Sequence, residues 1–67
     1  MKAGDKFTLT AEGISYNCKI VNISDYREPS MKYAVDLYKD DAYIDTYFCG
    51  EDFFTKNEDN ISMEIRY

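Results

Sequence analysis

Met31-Lys32-Tyr33-Ala34-Val35-Asp36-Leu37-Tyr38 places Met31, Tyr33, Val35 and Leu37 on one parity and Lys32, Ala34, Asp36 and Tyr38 on the other. Such a period of two predicts an extended strand with one face buried. Lys39-Asp40-Asp41 follows as a turn, and the next run divides between Ile44, Thr46, Phe48 and Tyr43, Asp45, Tyr47, Cys49. Ile44 and Phe48 make the more apolar face. That predicts Tyr43 and Tyr47 pointing outward beside Asp45.

The same period extends in both directions from this hairpin. Phe7, Leu9 and Ala11 alternate with Thr8 and Thr10 up to Glu12-Gly13, where glycine supplies the positive φ of a tight turn. Ile14, Tyr16, Cys18 and Ile20 form a second strand, and Val21 and Ile23 then fall on the opposite parity. A bulge or a sharp bend near Ile20 and Val21 accounts for the switch. Ser24 to Ser30 carries the single proline, Pro29, and no alternation, so it reads as an exposed loop. Gly50 to Lys56 breaks the period with acids before Phe53-Phe54 and a lysine after, which suits one 3₁₀ or α turn. Asn57 to Asn60 is turn-like. Ile61, Met63, Ile65 and Tyr67 predict a last strand, with the final residue packed.

The chain has 67 residues, 45% of them apolar, with three scattered glycines and no histidine or tryptophan. Residues 1–67 therefore form one small all-β domain, too small for a roomy enclosed active site. The start, Met1-Lys2-Ala3-Gly4-Asp5-Lys6, has no apolar leader core, and no window has the roughly 18 apolar residues of a membrane helix. The expectation is a cytoplasmic protein with no membrane partner. Asn22 and Asn60 open two Asn-Ile-Ser sequons, which count only in a secreted chain. Cys18 and Cys49 are expected as reduced, half-buried thiols, a bridge requiring their strands to be neighbours.

Five strands with short hairpins, a longer loop after the second and a helical turn before the last resemble an SH3-like barrel over essentially the whole chain. Tyr33-Ala34-Val35-Asp36 and Tyr47-Phe48 look like stretches of the small SH3-like proteins encoded by bacteriophages and other mobile elements. The resemblance implies a five-stranded barrel with Ser24 to Ser30 as a binding-face loop. It implies no proline-peptide recognition, since the Ala-Leu-Tyr-Asp-Tyr stretch and Trp-Trp pair of those members are absent. A fold of this kind specifies no activity by itself.

The residue inventory argues against catalysis and cofactors. Without histidine, acid-base chemistry near neutral pH falls to carboxylates or a perturbed lysine, and two cysteines alone cannot supply a zinc set. Asp40, Asp41 and Asp45 lack the ligand spacing of a calcium loop. No glycine-rich phosphate cradle appears. The expectation is a non-enzymatic protein with no metal and no cofactor.

Charge and tyrosine point to binding. Residues 36–59 hold eight acids against two bases, whereas residues 1–35 hold four acids and five bases. A dispersed acidic surface serves solubility alone. Carboxylates on two adjacent strands and their turns, however, are expected to add to one field that attracts a basic partner. Tyr38, Tyr43 and Tyr47 fit as anchors among Asp40, Asp41, Asp45, Glu51 and Asp52, although tyrosines also serve to shield a sheet. Such a face repels nucleic acid. Tyr26, Arg27 and Glu28 form a secondary candidate loop, for which a solvated local ion pair is the plainer role.

The reading is a protein-binding module whose acidic, tyrosine-bearing face engages a basic protein surface. Its concrete form is an inhibitor that mimics nucleic acid toward a host defence or DNA-processing enzyme. The rivals are a structural protein assembling through its edge strands, including as a homodimer, and a small-molecule or nucleotide sponge at a subunit boundary.

Overall fold

The period-two runs fold as strands. The computed structural model describes residues 2–63, which form β1 (Lys6–Ala11), β2 (Ile14–Ile23), β3 (Tyr33–Lys39), β4 (Ala42–Cys49) and β5 (Ile61–Met63). Short helix α1 (Glu51–Lys56) joins β4 to β5. All five strands belong to one antiparallel sheet in the order β4-β3-β2-β1-β5. The expected strands are present, but the expected closure is not: among the described residues β4 and β5 do not pair, and the sheet stays open.

Local chemistry explains the connections. Glu12 and Gly13 hold φ of 53° and 79°, and Asp40 and Asp41 hold 52° and 65°, so both hairpins turn through two left-handed residues. This backbone matches the twist of the flanking strands, and aspartate tolerates it better than most side chains. In β2 the register with β3 shifts between Ile20 and Asn22, so of the bulge or bend expected from the parity switch at Val21 the strand has the bulge.

Two expected boundaries move. Met31 does not begin β3; it ends a 3₁₀ turn, Pro29–Met31, in which the Met31 N–H donates to the Glu28 carbonyl at 2.8 Å. Pro29 starts that turn with its φ already set and no N–H to lose. Before β5, α1 is followed by a second 3₁₀ turn, Glu58–Asn60, so there are two helical turns where one was expected. The expectations for Ile65 and Tyr67 lie outside the described residues.

The larger correction concerns β4. The two-residue turn pairs Lys39 with Ala42 and Tyr38 with Tyr43, and continuing that register would place Ile44, Thr46 and Phe48 inward. The ladder instead resumes at Leu37 with Asp45, then Val35 with Tyr47 and Tyr33 with Cys49, leaving Ile44 as an extra residue. A one-residue slip exchanges the faces of everything beyond it. Ile44 and Phe48 are therefore each 47% exposed, while Cys49 is buried and Tyr47 packs against the core. Tyr43 precedes the slip and keeps the outward position the turn assigns.

The inner face gathers Phe7, Cys18, Ile20, Tyr33, Val35 and Cys49, edged by Leu9, Tyr16, Leu37 and Tyr47. Phe7, Ile20 and Val35 are completely enclosed, and each contributes about 1.5–3 kcal/mol by leaving water. Helix α1 covers part of this face. Phe54 meets Phe7 and Tyr33 edge-on at 5.6 and 5.2 Å, and Phe53 meets Tyr47 at 5.6 Å. Glu51 and Asp52 in its first turn and Lys56 in its last suit the helix dipole, and Asn57 closes it by donating from its side chain to the Phe53 carbonyl at 2.8 Å.

Gly50 lets α1 start where it does. A Cβ there would sit 2.3 Å from the Pro29 carbonyl oxygen, so the backbones of the 3₁₀ turn and the helix start touch at the one residue without a side chain. Gly50→Ala is expected to destabilise the fold by about 1–3 kcal/mol, as overpacking against fixed backbone does. Thermal and urea unfolding measure it; an unchanged midpoint would refute the close approach.

Candidate protein-binding surface

The tip of the β3–β4 hairpin brings together Tyr38, Tyr43, Asp40 and Asp41. Tyr38 and Tyr43 are directly opposite on the outer face, with ring centroids 5.8 Å apart at 71°. Edge-to-face pairs of this kind are worth about 0.5–1.5 kcal/mol beyond burial. The Tyr43 residue as a whole remains 57% exposed. Its hydroxyl lies 2.6 Å from the Thr46 hydroxyl, which donates to Asp36 Oδ1, also at 2.6 Å. Thr46 has one proton and spends it on Asp36, so Tyr43 donates to Thr46. The ring is thus held by its contact with Tyr38 and at its hydroxyl by this relay.

The remaining candidate residues lie elsewhere. Asp45 is exposed but sits opposite Leu37 on the inner-face parity, where its carboxylate accepts the Thr46 backbone N–H at 2.8 Å. Tyr47 also faces inward, contrary to the expected outward display, because the slip at Ile44 precedes it. Glu51 and Asp52 stand at the far end of β4, whose eight residues span about 25 Å. That exceeds a Debye length of about 8–10 Å, so the acids form two groups and not the single field expected from their closeness in sequence. Glu51 is also engaged: it accepts the Tyr33 hydroxyl at 3.0 Å and lies 3.7 Å from the Lys32 ammonium.

The candidate loop is spent largely on itself. Arg27 donates through Nε to the Met31 carbonyl at 2.7 Å and through Nη2 to the Lys32 carbonyl at 2.8 Å, and its guanidinium lies 5.3 Å from the centre of the Phe48 ring. It is a brace between loop and sheet. Glu28 precedes the 3₁₀ turn and is exposed, and Tyr26 projects wholly into solvent. Lys32 lies 3.6 Å from Asp25, whereas Arg27, of which a local ion pair was expected, donates to backbone carbonyls instead.

Sequence reasoning missed three features of the outer face. Thr46 is the relay between Tyr43 and Asp36, and Phe48 is the seat of Arg27. Lys6 and Lys19 are cross-strand partners, and Lys19 is also opposite Asp36, so the outer face carries both signs of charge. Only the register reveals these pairings.

Beneath the outer face lies a cluster of weak acids. Cys18 and Cys49 are free and buried, and β3 lies between their strands, so they are not cross-strand neighbours. Burial raises both thiols, with Cys49 pushed up to about 11, and it raises Tyr47 further, the neighbouring thiols adding to the shift. The Tyr47 hydroxyl is enclosed beside the Cys18 thiol, among the described residues without a hydrogen bond of ordinary geometry. Among the described residues, no three cysteine or carboxylate side chains lie close enough to hold a metal ion. No helix there is long and apolar enough to cross a membrane.

No family model, curated protein or solved structure matches this chain.

Two outcomes follow from the buried cluster. Tyr47→Phe removes a poorly bonded hydroxyl and is expected to leave the unfolding midpoint unchanged or raise it, within about 1 kcal/mol; a clear loss of stability would show that its contact with the Cys18 thiol is a stabilising hydrogen bond. The Cys49 thiol titrates near its ordinary 9.0 when unfolded and at about 11 when folded, so the neutral form favours the fold. Stability from this site is full below pH 9 and is lost as pH rises through about 11. Cys49→Ala should flatten that alkaline slope in thermal melts; an unchanged slope would contradict it.

Proposed function

We propose that this chain is a non-enzymatic protein-binding module that presents the acidic, tyrosine-bearing end of its β3–β4 hairpin to a basic protein surface. The observation that carries the reading is the exposed Tyr43, packed against a half-buried Tyr38, beside Asp40 and Asp41 at the tip. Tyrosine offers contact area at small entropic cost, and a ring already held at both ends loses little further freedom on docking. The carboxylates add long-range attraction toward a cationic partner. Asp45 sits on the same strand and extends this charge toward the other side of the edge.

In its fuller form the reading places the chain among SH3-like modules of mobile elements, acting as an inhibitor whose carboxylates occupy the basic groove of a DNA-processing or defence enzyme. The order of five antiparallel strands with a helical turn before the last supports the SH3-like part. A second reading, assembly through sheet edges, is favoured by the open sheet, since among the described residues β4 and β5 are not paired with each other. Sedimentation across concentrations separates the two, because a strict monomer eliminates self-assembly.

The test reverses charge at the tip. Asp40→Lys, Asp41→Lys and Asp45→Lys together are expected to lower capture of basic nucleic-acid-binding proteins by about tenfold or more, with capture by the native protein displaced by duplex DNA and weakened by salt. Lysine is less at ease than aspartate at the left-handed turn positions, so the corresponding triple asparagine variant accompanies it. Cooperative unfolding shows that each variant is folded. Native-like capture by the folded asparagine variant would reject the acidic-tip mechanism.

A further inference from the structure

The hairpin tip specifies more than a positive partner. Resting on the reading above, we propose that the exposed face of Tyr43 is a docking platform for an arginine side chain of the partner, held over the ring with its guanidinium reaching toward the carboxylates of the tip.

Three features of the tip and its strand carry this. Tyr43 is both exposed and immobilised, by Tyr38 against its ring and by Thr46 at its hydroxyl, which in turn donates to Asp36. A hydroxyl that gives its proton toward a carboxylate leaves the ring richer in electron density, which strengthens its attraction for a cation above its face. The same strand already shows the interaction within the molecule: Phe48, also on the outer face of β4, carries the Arg27 guanidinium 5.3 Å from its centre. Arg27 reaches Phe48 because two backbone carbonyls hold it there, and Tyr43 has no comparable cation recorded over it among the described residues. The surrounding charge is mixed but acidic at the turn itself, where Asp40 and Asp41 outnumber Lys39 on the way into Tyr43, while Asp41 also shares a hollow with Lys6 and Lys19 beside Tyr38.

Arginine suits this arrangement better than lysine. A planar guanidinium lies flat on an aromatic ring while its edge donates to carboxylates, whereas a compact, strongly hydrated ammonium must lose more water to make the same contact. An acidic patch without the platform would not distinguish the two, because both carry one positive charge.

The experiment titrates the full chain with two probes of equal charge, acetyl-Gly-Arg-Gly-Arg-Gly-amide and its lysine counterpart, following the aromatic and amide resonances by NMR. The arginine probe is expected to produce saturable shifts centred on Tyr43 and Tyr38 and to bind about threefold or more tightly than the lysine probe. Tyr43→Leu, checked by unchanged amide shifts outside the hairpin, is expected to abolish that preference, and Tyr43→Phe to retain most of it. Equal affinities, shifts spread over all carboxylates, or no saturable shift at Tyr43 would overturn the proposal. If charge reversal at the tip still abolishes partner capture, those results remove the arginine platform and leave the acidic-tip reading standing. Failure of the charge-reversal test removes the tip reading itself.

Discussion

One extra residue in one strand decides what this molecule shows to its surroundings. The tight turn at Asp40 and Asp41 fixes the first two pairs of the β3–β4 ladder, and Ile44 then drops out of it. Everything before the slip keeps the turn's facing, and everything after it is reversed. Tyr43 therefore stays on the outer surface, while Tyr47 and Cys49 enter the core and Phe48 leaves it. Without this bulge Thr46 would lie inward and could not relay Tyr43 to Asp36, and Phe48 would be out of reach of Arg27. The slip also roughens an edge strand, which hinders casual pairing with other chains.

The core that results is aromatic and shallow, as a sheet of this size requires. Among the described residues, three completely enclosed side chains are reinforced by rings meeting edge-on, and α1 brings two of those rings from outside the sheet. Its start touches the 3₁₀ turn through Gly50 and Pro29, so the loop after β2 and the segment after β4 are positioned together. Arg27 strengthens the same corner from the other side. The polar liabilities of this packing are the two thiols and the Tyr47 phenol, all kept neutral by burial.

Much of this fold was legible wherever local chemistry decides the outcome. The β1–β2 turn at Glu12-Gly13, the bulge at Val21, the loop around Pro29 and the short helix before β5 each have their cause within a few neighbouring residues. The facing of β4 was not legible, because Ile44, Thr46 and Phe48 are as plausible inward as Asp45, Tyr47 and Cys49 until packing against Val35 and Tyr33 is known. The candidate surface divides in the same way. Tyr38 and Tyr43 could be paired from the turn alone, since they precede the bulge. The separation of Glu51 and Asp52 from the tip, the Thr46 relay and the use of Arg27 as a brace depend on strand length, register and loop path, none of which a charge count contains.

The register of β4 is the claim that bears the most weight, and interproton contacts across the β3–β4 ladder test it directly. The account predicts backbone contacts pairing Tyr38 with Tyr43, Leu37 with Asp45 and Val35 with Tyr47, with Ile44 unpaired. Contacts pairing Leu37 with Ile44 and Val35 with Thr46 would contradict it and turn Tyr47 out to solvent.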